Sequence, residues 1–375
     1  MSVKLIFLLL FIITSDLPAQ THNITLMFSG DVTLSDHFEN YVGNRFNYAF
    51  KKLDWFSDAD ITMINLETTL TTANNPIPKA FNFKARPAYA KMLKDSGIEV
   101  VTLANNHIYD FDAEGLLQTI KALDQVGLKH VGAGKNNTDA RKAVIFEIKN
   151  IKLAYFGYYG SGKHSESFPA TRKSPGTAMR SLTYIARDIA AVRDSVDLII
   201  INFHWGREKA HYPEQSEIDF AHATVDFGAD IIVGHHPHVL QGVEIYHDKL
   251  IVYSLGNFIF GGNSRTLDRS AVLRVMVDPS LPHNYKAALI PIQIDYWQPY
   301  RLRGAWADSV CAQLETYSSP FPFTALHINN GQILNIERAY IKPKIKDLNS
   351  KLMISNYPYL QIAPLNEQRK EITIK

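Results

Sequence analysis

A chain of 375 residues that is 46% hydrophobic and 20% charged has the make-up of a folded globular protein, not of a disordered, collagen-like or coiled-coil one. Its 39 Lys plus Arg against 37 Asp plus Glu leave a net charge of +2, without the basic excess of a nucleic-acid binder, so neither DNA nor RNA is expected as a partner. Cys311 is the single cysteine, which excludes an intrachain disulfide, a Cys-rich zinc site and an iron-sulfur cluster held by this chain alone.

The chain begins with a short positive start at Met1 to Lys4, an apolar run from Leu5 to Thr14, and Asp16-Leu17-Pro18-Ala19-Gln20, where Ala19 offers a small residue for cleavage. Residues 1–19 are therefore expected to be a signal peptide, because the run is about half of the ~20 residues that span a bilayer. No cysteine follows it, which argues against a lipoprotein, and no later stretch is apolar for long enough to cross a membrane. The mature protein is expected to be exported, to a periplasm or the cell exterior, with no transmembrane segment.

Buried strands are expected at Ile24 to Phe28, Ile61 to Ile64, Val100 to Leu103, Leu153 to Phe156, Leu198 to Phe203, Ile231 to Val233 and Leu250 to Tyr253, all short and rich in Ile and Val. Between them, Pro87 to Ser96, Asp112 to Val126, Thr183 to Asp194 and Pro213 to Phe227 have helical period, the last with Pro213 in its first turn and Gly228 as its stop. This alternation predicts an α/β fold. From Ala271 to Val277, Ala287 to Tyr296 and Gln332 to Ile341 the pattern is strand-like, so 263–375 reads as a β-rich C-terminal extension after a main domain at 24–262. Lys342 to Lys375 is weakly patterned and reads as a surface tail.

Polar groups follow these strands one after another. Ser29-Gly30-Asp31, Asn65-Leu66-Glu67, Asn105-Asn106-His107, His204-Trp205-Gly206, Gly234-His235-His236-Pro237-His238 and Ser254-Leu255-Gly256-Asn257 each stand at a strand end. In a layered α/β fold the C-terminal strand ends converge on one crevice, which would gather residues drawn from most of the chain. Asp31 and Glu67 bring anionic oxygens, Asn106 a carbonyl, and His204, His236 and His238 imidazoles. That mixed oxygen and nitrogen set suits Mn, Fe or Zn better than calcium, as one ion or two. His107 is the expected acid or transition-state donor, oriented by Asp110 or Asp112. Asn105, Glu208 and Asn257 are the expected substrate contacts.

Single motifs of this kind have ordinary readings. Gly-Asp is common in turns, but three imidazoles within His235 to His238 at an apolar strand end are hard to explain by packing. Trp205 and Phe258-Ile259-Phe260 read as packing behind the site.

Taken in order, these segments resemble the CapA family, named for a poly-γ-glutamate capsule biosynthesis protein and related to the calcineurin-like metallophosphoesterases. The matching text is Phe28-Ser29-Gly30-Asp31-Val32, Ile64-Asn65-Leu66-Glu67, Ala104-Asn105-Asn106-His107, Phe203-His204-Trp205-Gly206 with Glu208, Gly234 to Gln241, and Tyr253-Ser254-Leu255-Gly256-Asn257-Phe258. The resemblance implies a four-layer α/β/β/α metallophosphoesterase-like sandwich with the site at the rim of two central sheets. It matches Asp31, Asn106, His107 and His204 to the wider superfamily's motifs. Thr33 stands where that superfamily has a histidine, Glu67 where it has a bridging aspartate, and Lys209 where CapA proteins usually have an aromatic residue. His236-Pro237-His238 keeps the spacing of the last motif while His235 follows the glycine, leaving open which two of the three bind metal.

Two functions of different class follow. One is a secreted, metal-dependent phosphoesterase-type hydrolase in capsule or poly-γ-glutamate synthesis, acting on a phosphoester or an anionic polymer. The other is a non-catalytic component that binds an anionic polymer within an assembly of capsule synthesis or export proteins.

Overall fold

The structure is a computed structural model that describes residues 23–43, 45–160, 166, 168–260 and 268–321, and the backbone of 332–335. The expected signal peptide and the tail after residue 342 lie outside the described residues. In chain order the elements used below are β1 (Ile24–Val32), α1 (Asp36–Val42), β2 (Ile61–Leu66), α2 (Tyr89–Asp95), β3 (Val100–Thr102), α3 (Asp112–Gln125), β4 (Lys129–Val131), β5 (Val144–Ile148) and β6 (Ile151–Tyr159). They continue with α4 (Leu182–Val192), β7 (Leu198–His204), α5 (Gln215–Asp226), β8 (Ile231–His235), β9 (Val243–Tyr246), β10 (Lys249–Val252) and β11 (Asn257–Ile259). The last are β12 (Asp268–Asp278), β13 (Leu281–Asp295), β14 (Gln298–Arg301), α6 (Ala305–Ser318) and β15 (Gln332–Asn335).

Two sheets form the centre. One runs β14-β13-β12-β1-β2-β3-β4, with β11 also paired to β1 and β15 to β13; the other runs β9-β10-β8-β7-β6-β5. Alternation along each strand builds the layers, since successive side chains point to opposite faces. Leu26, Phe28 and Met63 of the first sheet meet Leu153, Tyr155, Ile200 and Val233 of the second in a core between the sheets. Their neighbours face outward: Met27, Ile64 and Val101 pack under Phe38, Tyr89, Leu93 and Leu116 of α1 to α3. On the other side Ile199, Ile201 and Ile232 pack under Ile185 and Ile189 of α4 and Phe220 of α5. The result is the expected α/β/β/α order of layers. Each of these fully buried Leu, Ile or Phe side chains contributes about 1.5–3 kcal/mol of transfer free energy, so the four layers hold together without help from a disulfide.

β1, β2 and β3 are parallel, as are β6, β7, β8 and β10, so their C-terminal ends lie along one rim. Several strands outrun the apolar runs that mark them: β1 continues through Asp31 and β7 through His204, which makes these residues strand-borne and rigid. α5 begins at Gln215, two residues after the proline expected to open it. Glu214 caps it and forms a reciprocal capping box with Glu217, leaving Pro213 just outside.

The strands after residue 263 join the first sheet, with β12 antiparallel to β1. The β-rich reading of that region misses α6, which buries Val310, Cys311 and Leu314 on one short stripe. Polar and exposed positions break that stripe on either side, so its helical period is weak in the sequence. No helix among the described residues is long and apolar enough to cross a membrane.

Candidate metal centre

Close backbone approach sets the rim. A Cβ on Gly30 would stand 1.8 Å from Gly256 O, so only glycine lets β1 pass the segment that leads into β11. Asp31 N–H donates to that same carbonyl at 3.0 Å, which fixes the aspartate at the end of the sheet's central strand. Opposite it, β8 ends at His235, and the chain then turns with φ of 97° at His236 and 57° at His238. Left-handed backbone is costly for residues with a Cβ and survives where the surroundings enforce it. The turn points both imidazoles back toward Asp31 and Glu67.

Three groups of side chains could each hold a cation, with ligand atoms within 4.8 Å of one another: Glu67 with His204 and His236, Asp31 with Glu67 and His238, and Glu208 with His236 and His238. Glu67 belongs to two of them. Its carboxylate is fully buried and neither oxygen has a hydrogen-bond partner among the described residues, although His204 Nε2 lies 3.5 Å and His238 Nε2 3.9 Å from Oε1. A buried carboxylate left unpaired costs several kcal/mol, so the donor set fits a divalent cation that would take Glu67 among its ligands.

Burial and charge act on these groups in opposite directions. Burial drives the Glu67 carboxyl well above its ordinary range, and the Asp31 charge adds to this. Burial would raise Asp31 too, but the His238 hydrogen bond and charge bring it below its usual value. His238 is buried, which opposes its charge, yet Glu67 and Asp31 outweigh that and raise it to about 9. Burial and the neighbouring imidazoles push His204 well down, and burial takes His235 down to about 4. His204 and His235 are thus held neutral, the form in which a histidine binds metal.

His107 stands beside this cluster. Its Nδ1 lies 2.8 Å from Asp110 Oδ2, and its ring stacks on Phe83 with centroids 3.9 Å apart, which together fix the ring and turn Nε2 toward Glu67 Oε1 at 4.0 Å. Lys79, almost wholly buried, donates to Asn106 O at 2.9 Å and pairs with Asp110 Oδ1 at 2.8 Å. Asp112 opens α3 with φ of 57° and turns its carboxylate to Ala113 N–H, so Asp110 is the residue that holds His107.

The structure brings Asp31, Glu67, Asn106, His204, His236 and His238 to one place, with Asn106 Oδ1 2.8 Å from His204 Nε2. His235 falls outside the three groups and reaches Asn202 Oδ1 at 3.4 Å and Asp31 Oδ1 at 3.6 Å. Thr33 Oγ1 is hydrogen-bonded to Thr68 Oγ1 at 2.7 Å and takes no place in the cluster. The expected substrate contacts fare differently from one another. Glu208 is exposed at the rim and joins a cation-capable group. Asn105 is buried, with its amide on Asn65 Oδ1 and Leu66 O and its oxygen on His107 N–H, so it braces the site from behind. Asn257 is buried as well, its Oδ1 3.0 Å from His238 Nδ1, and it orients that imidazole.

Asn65, Lys79 and Phe83 are absent from the sequence-derived set. Asn65 donates to Asp31 Oδ1 at 2.7 Å and lies 3.3 Å from His204 Nδ1. Its position next to Leu66-Glu67 was a usable signal. Lys79 and Phe83 sit in a loop with no strand end to mark them.

Comparison with known proteins agrees with the order of the motifs. The family described as bacterial capsule synthesis protein PGA_cap matches residues 25–262. The capsule biosynthesis protein CapA of Bacillus anthracis is 32% identical over 265 residues, covering 68% of this chain and 64% of that protein. The PGA biosynthesis protein CapA of Bacillus subtilis (strain 168) is 33% identical over 222 residues, covering 58% of each. The chain thus spans less than two thirds of the length of either relative. Among solved structures, the calcineurin-like phosphoesterase YfkN of Bacillus subtilis aligns with a TM-score of 0.43 and 14% identity, over 79% of this chain and 96% of that one.

Proposed function

The chain belongs to the bacterial capsule synthesis protein PGA_cap family, and from that premise we propose that its strand-end crevice is a metal-dependent hydrolytic site of the phosphoesterase type. Its substrate is an anionic polymer or a phosphoester in cell-surface polymer synthesis. The observation that carries this reading is the buried, unpartnered Glu67 carboxylate set among His204, His236 and His238.

Asp31, Glu67, Asn106, His204, His236 and His238 would hold the metal, with Glu208 at the open side. Bound there, a divalent pair supplies Lewis-acid polarisation of the substrate oxygen and an activated water. The chain's own residues do the rest. Asp110 would accept from Nδ1–H of the His107 ring, and Phe83 stops the ring from turning, so in the protonated imidazole Nε2–H would face the substrate and give its proton to the leaving oxygen. Lys79 neutralises Asp110 from below. Residues 24–262 carry these groups, while the strands within 268–301 and 332–335 complete the first sheet. Export through the leader belongs to the same proposal, and the mass of the mature chain tests it.

A second reading, binding of an anionic polymer without catalysis, rests on Thr33, whose hydroxyl is spent on Thr68 where a metal-binding histidine would strengthen the site. Metal content separates the two. About two equivalents per chain after loading with Mn, Fe or Zn would support the hydrolase. None under any loading would leave the polymer-binding reading. His236→Ala and His238→Ala should each lower bound metal at least about tenfold with the fold intact, judged by circular dichroism. Unchanged metal in both variants would remove the assignment. His107→Gln should keep full metal content and slow turnover about 10²-fold. Loss of metal in that variant would mean that His107 is a ligand.

A further inference from the structure

Arg180 lies on the same rim and has no role in the site as described. Its backbone N–H donates to Gly160 O at 3.1 Å, and its neighbour Met179 bridges Tyr159. Tyr159 is the register partner of His204, with ring centroids 5.3 Å apart. The arginine therefore stands at the C-terminal end of β6, one strand over from a metal-capable histidine.

The guanidinium lies 5.2 Å from the Phe220 ring centroid, and its Nη1 is buried with no hydrogen-bond partner among the described residues. Glu217 is the carboxylate that acts on it, but no ion pair joins them among the described residues, and Glu217 Oε2 is taken by Glu214 N–H in the cap of α5. Burying a charged donor without an acceptor is costly, and a guanidinium matches the planar or tetrahedral oxygens of a carboxylate or phosphate. The cation is thus held in a low-dielectric position against α5, on a residue whose backbone stands at the rim end of β6, with a donor to spare.

We propose that Arg180 binds a second oxyanion of the substrate, a carboxylate or a phosphate, while the first lies at the Glu67 cluster. The crevice then selects molecules with two anionic groups, as an acidic polymer presents along its length. This specifies the substrate class of the site proposed above and rests on that reading for the first oxyanion only.

The test begins without metal. Thermal unfolding of the full chain is followed in EDTA with increasing inorganic phosphate or glutarate at constant ionic strength. The wild-type midpoint should rise saturably with at least one of the two, which identifies the preferred oxyanion. Arg180→Gln should lose that rise, and Arg180→Lys, which keeps the charge without the fork, should need about tenfold more anion. Equal rises in the wild type and both variants, or no rise in the wild type, would overturn the proposal. With manganese present, binding of phenyl phosphate and 4-carboxyphenyl phosphate is then compared. The added carboxylate should tighten binding about tenfold in the wild type and not in Arg180→Gln. Equal tightening in both would break the link between Arg180 and the crevice. If no metal loads, the hydrolase reading falls, while the EDTA experiment still decides the anion site.

Discussion

Glu67→Gln should weaken metal binding about a hundredfold and yet leave the metal-free protein at least as stable as the wild type. The two effects have one cause. In the metal-free state the Glu67 carboxylate is fully buried, has no hydrogen-bond partner and faces the Asp31 charge, so it works against folding. The amide of the variant keeps the shape and removes the charge, which should raise metal-free stability by about 1 kcal/mol or more. With a cation present the sign reverses. A ligand at 100 times its dissociation constant stabilises the folded state by about 2.7 kcal/mol, and a hundredfold loss of affinity reduces that to about 0.4 kcal/mol. Urea unfolding in EDTA and in manganese measures both halves. A variant that is less stable in EDTA but keeps its full response to manganese would make Glu67 a structural residue.

Part of this arrangement is legible in the sequence because strands are read easily and their ends are rigid. The runs ending in Ser29-Gly30-Asp31, Phe203-His204 and Val233-Gly234-His235 are short and apolar, and parallel pairing leaves their polar endings on one rim. The layers are legible for a related reason, since Ile199, Ile200 and Ile201 fill cores on alternate faces of one strand. What sequence spacing does not carry is depth and direction. Asn105 and Asn257 are as polar as a substrate contact, and nothing in their spacing tells that both are buried, with oxygens on His107 N–H and near His238 Nδ1. The choice among His235, His236 and His238 depends on two positive φ angles that no pattern of residues announces. Lys79 and Phe83 reach His107 from a loop whose path is set by tertiary contact, as Phe83 N–H on Asp110 Oδ2 illustrates.

At the opposite end of β8 from the histidines, Asp230→Asn should destabilise the fold by about 3–5 kcal/mol at neutral pH without changing how much metal the folded protein holds. Asp230 is buried and receives Arg193 Nη1, Lys249 Nζ and Ile199 N–H on its carboxylate, with His283 Nδ1 at 3.4 Å. Its backbone carbonyl accepts from Tyr285 of β13, so one residue ties the second sheet to the first. Removing the negative charge strands the Arg193 guanidinium, itself almost wholly buried, without its counter-ion. Burial alone would raise the Asp230 carboxyl, but the His283 hydrogen bond and the Lys249 and Arg193 charges hold it well below its ordinary value. A carboxyl whose folded value is depressed contributes stability that is fully present above its unfolded value, near 3.9, and is lost as pH falls through the folded one. Wild-type stability should therefore decline on acidification below about pH 4, and the Asp230→Asn variant should show a shallower decline over the same range. Urea midpoints between pH 7 and pH 2 test this. A neutral-pH loss under about 1 kcal/mol with an unchanged acid slope would mean that the cations around Asp230 find solvent when it is gone, and that the sheets are held by their apolar core alone.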